Sequence, residues 1–110
     1  MRNFAVRPAL RVSGAMMVPG DKSISHRSLM LSGLAAGISE VTGFLASEDC
    51  LATLNAMRAL GVSIERPAAT HVVIHGSGLH GLTGAAHALD MGNAGTAMRL
   101  FTGLLAAQEF

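Results

Sequence analysis

The sequence predicts an α/β (α+β) fold built from β-α-β-α-β-β units, with one unit complete and a second begun. Three observations carry that prediction. Segments with helical apolar spacing alternate with short β-branched runs. Two of those runs, Val62–Arg66 and His71–His75, stand on either side of Pro67–Thr70 as a hairpin. A Gly-led turn before the first helix also comes again before the last, at Gly20 and at Gly92, with six residues between each Gly and an Arg.

Taken in order, Leu10–Val18 carries Leu10, Val12, Met16 and Val18 around Ser13-Gly14, the broken alternation of a strand with a bulge. Pro19-Gly20 ends it. A helix from Ser23 is expected to bury Ile24, Leu31, Leu34 and Ala35, with Ser25, His26 and Ser32 on other faces and Gly37 as the stop. Ile38–Phe44 reads as a strand, favoured by Val41 and Thr42. Ser47 suits an N-cap, and Glu48 and Asp49 complement the positive end of a second helix that carries Leu51, Leu54 and Met57 on one side and stops at Gly61. After the hairpin, 76–84 is loop-rich. Ala88–Met91 forms an extended approach to a third helix running through Leu105.

Composition bounds the function. Eight Lys plus Arg against seven Asp plus Glu disfavour a general polyanion surface, so no nucleic-acid partner is expected. The longest apolar run, near Leu100–Ala107, is interrupted by Thr102 and Gly103 and is too short to span a bilayer, so no membrane partner is expected either. The N-terminus lacks the pattern of a secretory signal, and the single Cys50 has no disulfide partner, which together suggest a reducing, cytoplasmic setting. Cys50 is expected to be a small buried or half-buried side chain.

The chemistry concentrates at the two turns. Pro19-Gly20-Asp21-Lys22-Ser23-Ile24-Ser25-His26-Arg27 joins a Gly, a helix start with outward N–H groups, and cationic side chains, the makings of an anion site. Asp21 or Ser23 would serve as N-cap. Met91-Gly92-Asn93-Ala94-Gly95-Thr96-Ala97-Met98-Arg99 repeats the design, Asn93 answering Asp21. Two such mouths suggest one ligand with two anionic ends or two anions side by side. A nucleotide P-loop fails on spacing, because Asp21 separates Gly20 from Lys22, and 92–95 does not give the dinucleotide G-x-G-x-x-G order. His71 and His75, four apart on a strand, are too far apart for simple chelation, so no metal is expected. His26 is expected to face solvent.

These two signatures, in this order and separation, resemble those of 3-phosphoshikimate 1-carboxyvinyltransferase (EPSP synthase), and the similarity continues through Ala35-Ala36-Gly37, Ser47-Glu48-Asp49 and Leu60-Gly61-Val62. It covers nearly all of this chain but only the opening of the family's. The resemblance implies two globes of three units each, with the active site in the cleft between them. Residues 1–19 would be a strand segment of the first globe, and 20–110 would open the second with one complete unit and part of the next. Independent stability is then not expected. It further implies transfer of the enolpyruvyl group of phosphoenolpyruvate to the 5-hydroxyl of shikimate 3-phosphate, without metal or organic cofactor, by a complete enzyme that is a monomer. Lys22, Ser23 and Arg27 would bind shikimate 3-phosphate, and Lys22, Asn93 and Gly95 would bind phosphoenolpyruvate. Asp49, Thr96 and Arg99 would support them, Arg99 by pairing with Asp49 or Asp90, and Asp49 also by supporting Asn93. No catalytic acid or base falls within these residues, so this stretch alone is expected to be inactive.

Two residues depart from the family pattern. Leu100 stands where the best-known members carry Pro, which bears on the shape of the phosphoenolpyruvate site and on glyphosate as an inhibitor there. Asp21 replaces the common Ser. Two other readings compete: a sister enzyme that transfers enolpyruvyl to a nucleotide sugar, and a non-catalytic phosphometabolite-binding module.

Overall fold

A computed structural model describes residues 2–110. Its elements are α1 (Lys22–Leu34), β1 (Ala36–Thr42), α2 (Glu48–Ala59), β2 (Ser63–Ala68), β3 (His71–Ser77) and α3 (Gly95–Ala106). The mixed α/β class is as expected. The three strands form one antiparallel sheet in the order β1-β3-β2, so the last strand made is the central one. Val72 and Ile74 of β3 are fully buried and lie opposite Val41, Ser39 and Ile64 on the face that meets the helices. The other face presents His71, Val73 and His75. There His71 bonds Glu40 of β1 at 2.7 Å and His75 bonds Glu65 of β2 at 3.1 Å.

The hairpin forms where the alternation puts it, with one shift. Pro67 lies inside β2 and the turn is Ala69-Thr70. The register slips between Glu65 and Ala68, which an edge strand tolerates because Pro has no N–H to give to the ladder. Ser47 caps α2 as expected, its hydroxyl accepting from Cys50 N at 3.3 Å. Leu54 and Met57 are buried.

The burial of α1 differs from expectation. Its core face is Ser25, His26, Leu29, Met30 and Gly33, while Ile24 and Leu31 are 65% and 67% exposed. Apolar residues occur on more than one side of this helix, so periodicity alone could not choose the face; the small residues choose it. Gly33 lets the Met57 side chain sit against the helix, and a Cβ at Gly76 would strike the carbonyls of Ser32 and Ala35, so β3 runs directly under the end of α1. The helix ends at Leu34 rather than at Gly37. Ala35 turns extended, its N–H bonding Leu31 O at 3.0 Å, and Ala36 already pairs with Ser77.

Two expected extended elements are not strands. Of the 1–19 segment, residues 2–19 are exposed throughout and Leu10–Val18 makes no ladder, and Ala88–Met91 is likewise unpaired. A strand needs a neighbour for its backbone groups, and none of the three strands lies beside either stretch. The arm explains the shape. The radius of gyration is 17.4 Å, against about 13 Å for a compact chain of this length.

Candidate functional site

The first mouth is built by packing as much as by polarity. Gly20 lies so close to the backbone of Gly43 that a Cβ on it would collide with the Gly43 carbonyl oxygen. That contact clamps the entry of α1 to the end of β1. Ser25 strengthens it, since its hydroxyl accepts from Leu45 N at 3.0 Å and donates to Asp21 O at 2.7 Å. Asp21 is the N-cap, its carboxylate accepting from Ile24 N at 2.8 Å. The Asp21 carboxylate is therefore occupied within the helix terminus, as a cap should be.

Lys22 Nζ reaches Asp49 Oδ2 of α2 at 2.9 Å. This hydrogen bond, and then the charge of Asp49, raise the Lys22 pKa, so the ammonium is held protonated. One turn further along both helices, His26 Nδ1 meets Thr53 Oγ1 at 2.7 Å. The pairs 22–49 and 26–53 ascend together, so α1 and α2 run in the same direction with their N-termini at one end. Ser23 is half-buried at that end and Arg27 is exposed on α1. His26 is a correction to the sequence reading: it is fully buried rather than facing solvent. Burial lowers its pKa, with Lys22 and Arg27 adding to the effect against Asp49. The signal that could have found this pair is the matched i, i+4 spacing of Lys22/His26 and Asp49/Thr53.

The second mouth is built differently. Gly92 takes φ +54°, a left-handed conformation that glycine adopts without penalty, and Asp90 holds the turn by accepting from Gly92 N at 2.8 Å. The helix starts at Gly95 with Ala94 at the cap position and no side-chain cap bond. Asn93 therefore does not answer Asp21; it is exposed, and its carbonyl accepts from Gly95 N at 3.2 Å. Nothing lies within 4 Å of the position a Gly95 Cβ would take, so the start of α3 is open. Thr96 and Arg99 are exposed.

The expected pairings of Arg99 and Asp49 are also corrected. Among the described residues the only ion pair between Lys or Arg and a carboxylate is Lys22–Asp49, and the other carboxylate contacts of basic side chains are His71–Glu40 and His75–Glu65. Asp49 is taken by Lys22 and Asp90 by the Gly92 turn, because each has that partner nearer at hand. Cys50 is buried as expected. No group of three or more His, Cys, Asp or Glu among the described residues could hold a metal. None of their helices is long and apolar enough to cross a membrane.

Two concavities flank the mouths. A groove of about 340 Å³ between α1 and α3 is lined by Arg27, Met30, Leu31, Leu34, Leu100 and Leu104, which puts the departing Leu100 beside Arg27. A larger one, about 560 Å³, lies between α2 and the Gly92 approach and includes Glu48, Asn55, His87 and Asp90. It contains none of Lys22, Ser23, Arg27, Asn93 or Gly95.

The α/β unit thus presents two unlike helix starts, one with cationic side chains and one with open backbone donors. Comparison with known proteins makes this specific. Residues 6–110 match the family model described as EPSP synthase (3-phosphoshikimate 1-carboxyvinyltransferase). The 3-phosphoshikimate 1-carboxyvinyltransferase of Methylococcus capsulatus is 59% identical over 107 residues, 97% of this chain and 24% of the relative. That of Citrifermentans bemidjiense is 58% identical over 110 residues, 100% of this chain and 25% of the relative. The solved EPSP synthase of Acinetobacter baumannii superposes with a TM-score of 0.83 at 59% identity, covering 88% of this chain and 22% of that one. The chain belongs to the EPSP synthase family and spans about a quarter of the length of the curated relatives it matches.

Proposed function

We propose that these residues form the opening part of an enzyme that transfers the enolpyruvyl group of phosphoenolpyruvate to the 5-hydroxyl of shikimate 3-phosphate. The products are 5-enolpyruvylshikimate 3-phosphate and inorganic phosphate. In this reading the hydroxyl oxygen adds to C2 of phosphoenolpyruvate while C3 gains a proton. The tetrahedral adduct then loses that proton equivalent and phosphate, restoring the double bond.

The observation that carries the reading is that both signatures occur in one family-matched chain as two unlike helix starts. Lys22, Ser23 and Arg27 would hold shikimate 3-phosphate through side chains, Arg27 by its planar fork. Lys22, a compact charge on a flexible stem, would lie between the two anions. Phosphoenolpyruvate would sit on the open start of α3 at Gly95, with Asn93 beside it. Asp49 keeps Lys22 charged before ligands arrive. The 1–19 segment would belong to the first globe and 20–110 would belong to the second. The proton-moving groups would come from the rest of the complete protein, a cytoplasmic monomer. The 110 residues alone would not turn over.

The test is phosphate release by a full-length enzyme in which residues 1–110 have this sequence and the Methylococcus relative supplies the remainder. Release that requires both phosphoenolpyruvate and shikimate 3-phosphate, and that falls at least 100-fold with Lys22→Ala, is expected. Consumption of a nucleotide sugar in place of shikimate 3-phosphate, or binding without release, would overturn the assignment.

A further inference from the structure

Of the polar contacts between α1 and α2, the bond between His26 Nδ1 and Thr53 Oγ1 is the one whose two partners are both wholly buried. The Lys22–Asp49 pair above it is partly open, with side chains 49% and 25% exposed. His26 Nε2 is buried with no hydrogen-bond partner. An orphaned N–H in such a place is rarer than an orphaned lone pair, so the proton belongs on Nδ1, where it is donated to the Thr53 hydroxyl.

A buried rung of this kind resists sliding or rotation of one helix past the other, because any slip leaves two desolvated polar groups unpaired. Lys22 sits one turn from His26 on the same face, and Asp49 one turn from Thr53. The place of the Lys22 ammonium is thereby tied to the buried rung.

We infer that His26 and Thr53 are positioning residues: their buried bond sets the register of α1 on α2 and so delivers Lys22 to the anion site. This rests on the function proposed above, in which Lys22 meets the substrates. The geometry makes a selective claim about atoms. Asn places an amide nitrogen where Nδ1 stands, whereas Gln reaches toward Nε2. His26→Asn should keep the rung and His26→Gln should break it.

The experiment uses the same full-length enzyme with His26→Asn, His26→Gln, Thr53→Val and Thr53→Ser. Measured together are the melting temperature, KM for shikimate 3-phosphate, kcat, and the NMR signal of the Lys22 ammonium without substrate. Loss of one buried hydrogen bond at the Lys22 anchor is expected to raise KM about five- to tenfold in His26→Gln and Thr53→Val. His26→Asn and Thr53→Ser should stay within about twofold of the parent, and the Lys22 signal should move only in the first pair. Equal KM in all four, or Gln matching the parent while Asn does not, would overturn the inference. If the parent consumes neither substrate, the proposed function has failed, and the positioning claim is still decided by the Lys22 signal. If Thr53→Val does not fold, His26→Gln decides.

Discussion

Replacing Gly20 by Ala tests how the first mouth is held. The backbone there does not need glycine for its dihedral angles, since Gly20 is not among the residues with positive φ. It needs glycine for space. The added Cβ would collide with the Gly43 carbonyl oxygen and stand 3.2 Å from both Gly43 C and Leu45 N. All three are backbone atoms, which cannot swing aside as a flexible side chain can. Overpacking of this kind costs about 1–3 kcal/mol. Moving the 43–45 backbone away would also strain the bond from Leu45 N to Ser25 Oγ, 3.0 Å long, for about 1 kcal/mol more. The total, about 2–4 kcal/mol, is a large part of an ordinary domain's stability of about 5–15 kcal/mol.

Gly43 itself supplies the comparison. It has φ +71° and open space at its Cβ position, so Gly43→Ala should cost only the left-handed penalty of about 1–2 kcal/mol. Gly103, in α3 with nothing within 4 Å, should gain up to about 1 kcal/mol as Ala. Urea unfolding followed by circular dichroism on the three variants should rank them Gly20→Ala, Gly43→Ala, Gly103→Ala from least to most stable. Gly20→Ala proving no worse than Gly43→Ala would refute the clamp.

Gly95→Ala should leave the urea midpoint unchanged or slightly raised, since its Cβ meets nothing, yet, if phosphoenolpyruvate sits where proposed, weaken its binding by the full-length enzyme at least tenfold, read by calorimetry, because the methyl would take that space. Acid should loosen the α1–α2 contact. Burial puts the folded-state pKa of His26 below its ordinary value of 6.5, so the unfolded chain binds the proton more readily. Stability from the neutral imidazole is complete above about pH 6.5 and is lost as pH falls from there toward the folded pKa. Urea midpoints between pH 8 and pH 5 should fall more steeply in the parent than in His26→Asn. Asp49→Asn should remove the hydrogen-bonded carboxylate that raises the Lys22 pKa; the Lys22 ammonium should then titrate at lower pH by NMR, and an unchanged titration would show that the pair does not form in solution.

The alternating stretches were legible because their periods are unambiguous. Val62–Arg66 and His71–His75 gave the hairpin, and Ser47 with Leu54 and Met57 gave α2. What misled were places where an element's partner decides its state. Leu10–Val18 has the pattern of a strand but no neighbour here to complete its hydrogen bonds. In α1 the apolar Ile24 and Leu31 marked a face that the small Ser25 and Gly33 override, because close approach to Met57 and β3 requires small residues there. The mouths were legible as a pair of motifs but not as geometry. Spacing made Asn93 the counterpart of Asp21, whereas Asp90 holds the second turn and α3 begins three residues after Gly92.

That inequality between the mouths bears on which anion each would take in the proposed enzyme. At the first, Asp21 already occupies Ile24 N, so the backbone donors of α1 are partly spent on the chain's own carboxylate, and a ligand must be held by side chains. Lys22, Ser23 and Arg27 are long or hydroxyl-bearing groups that can follow a bulky phosphorylated ring. At the second, α3 carries no side-chain cap and its start is open, so a small anion can approach the backbone itself. A helix start binds best what comes closest to it. Capping α3 internally should thus weaken the proposed second site without touching the first: Ala94→Asp places a carboxylate at the cap position, and because Ala94 is only 3% exposed, burial of that charge offsets the cap's gain of about 1 kcal/mol. The same change should weaken phosphoenolpyruvate binding far more than shikimate 3-phosphate binding. Equal weakening of both ligands would mean that the two mouths form one undivided site.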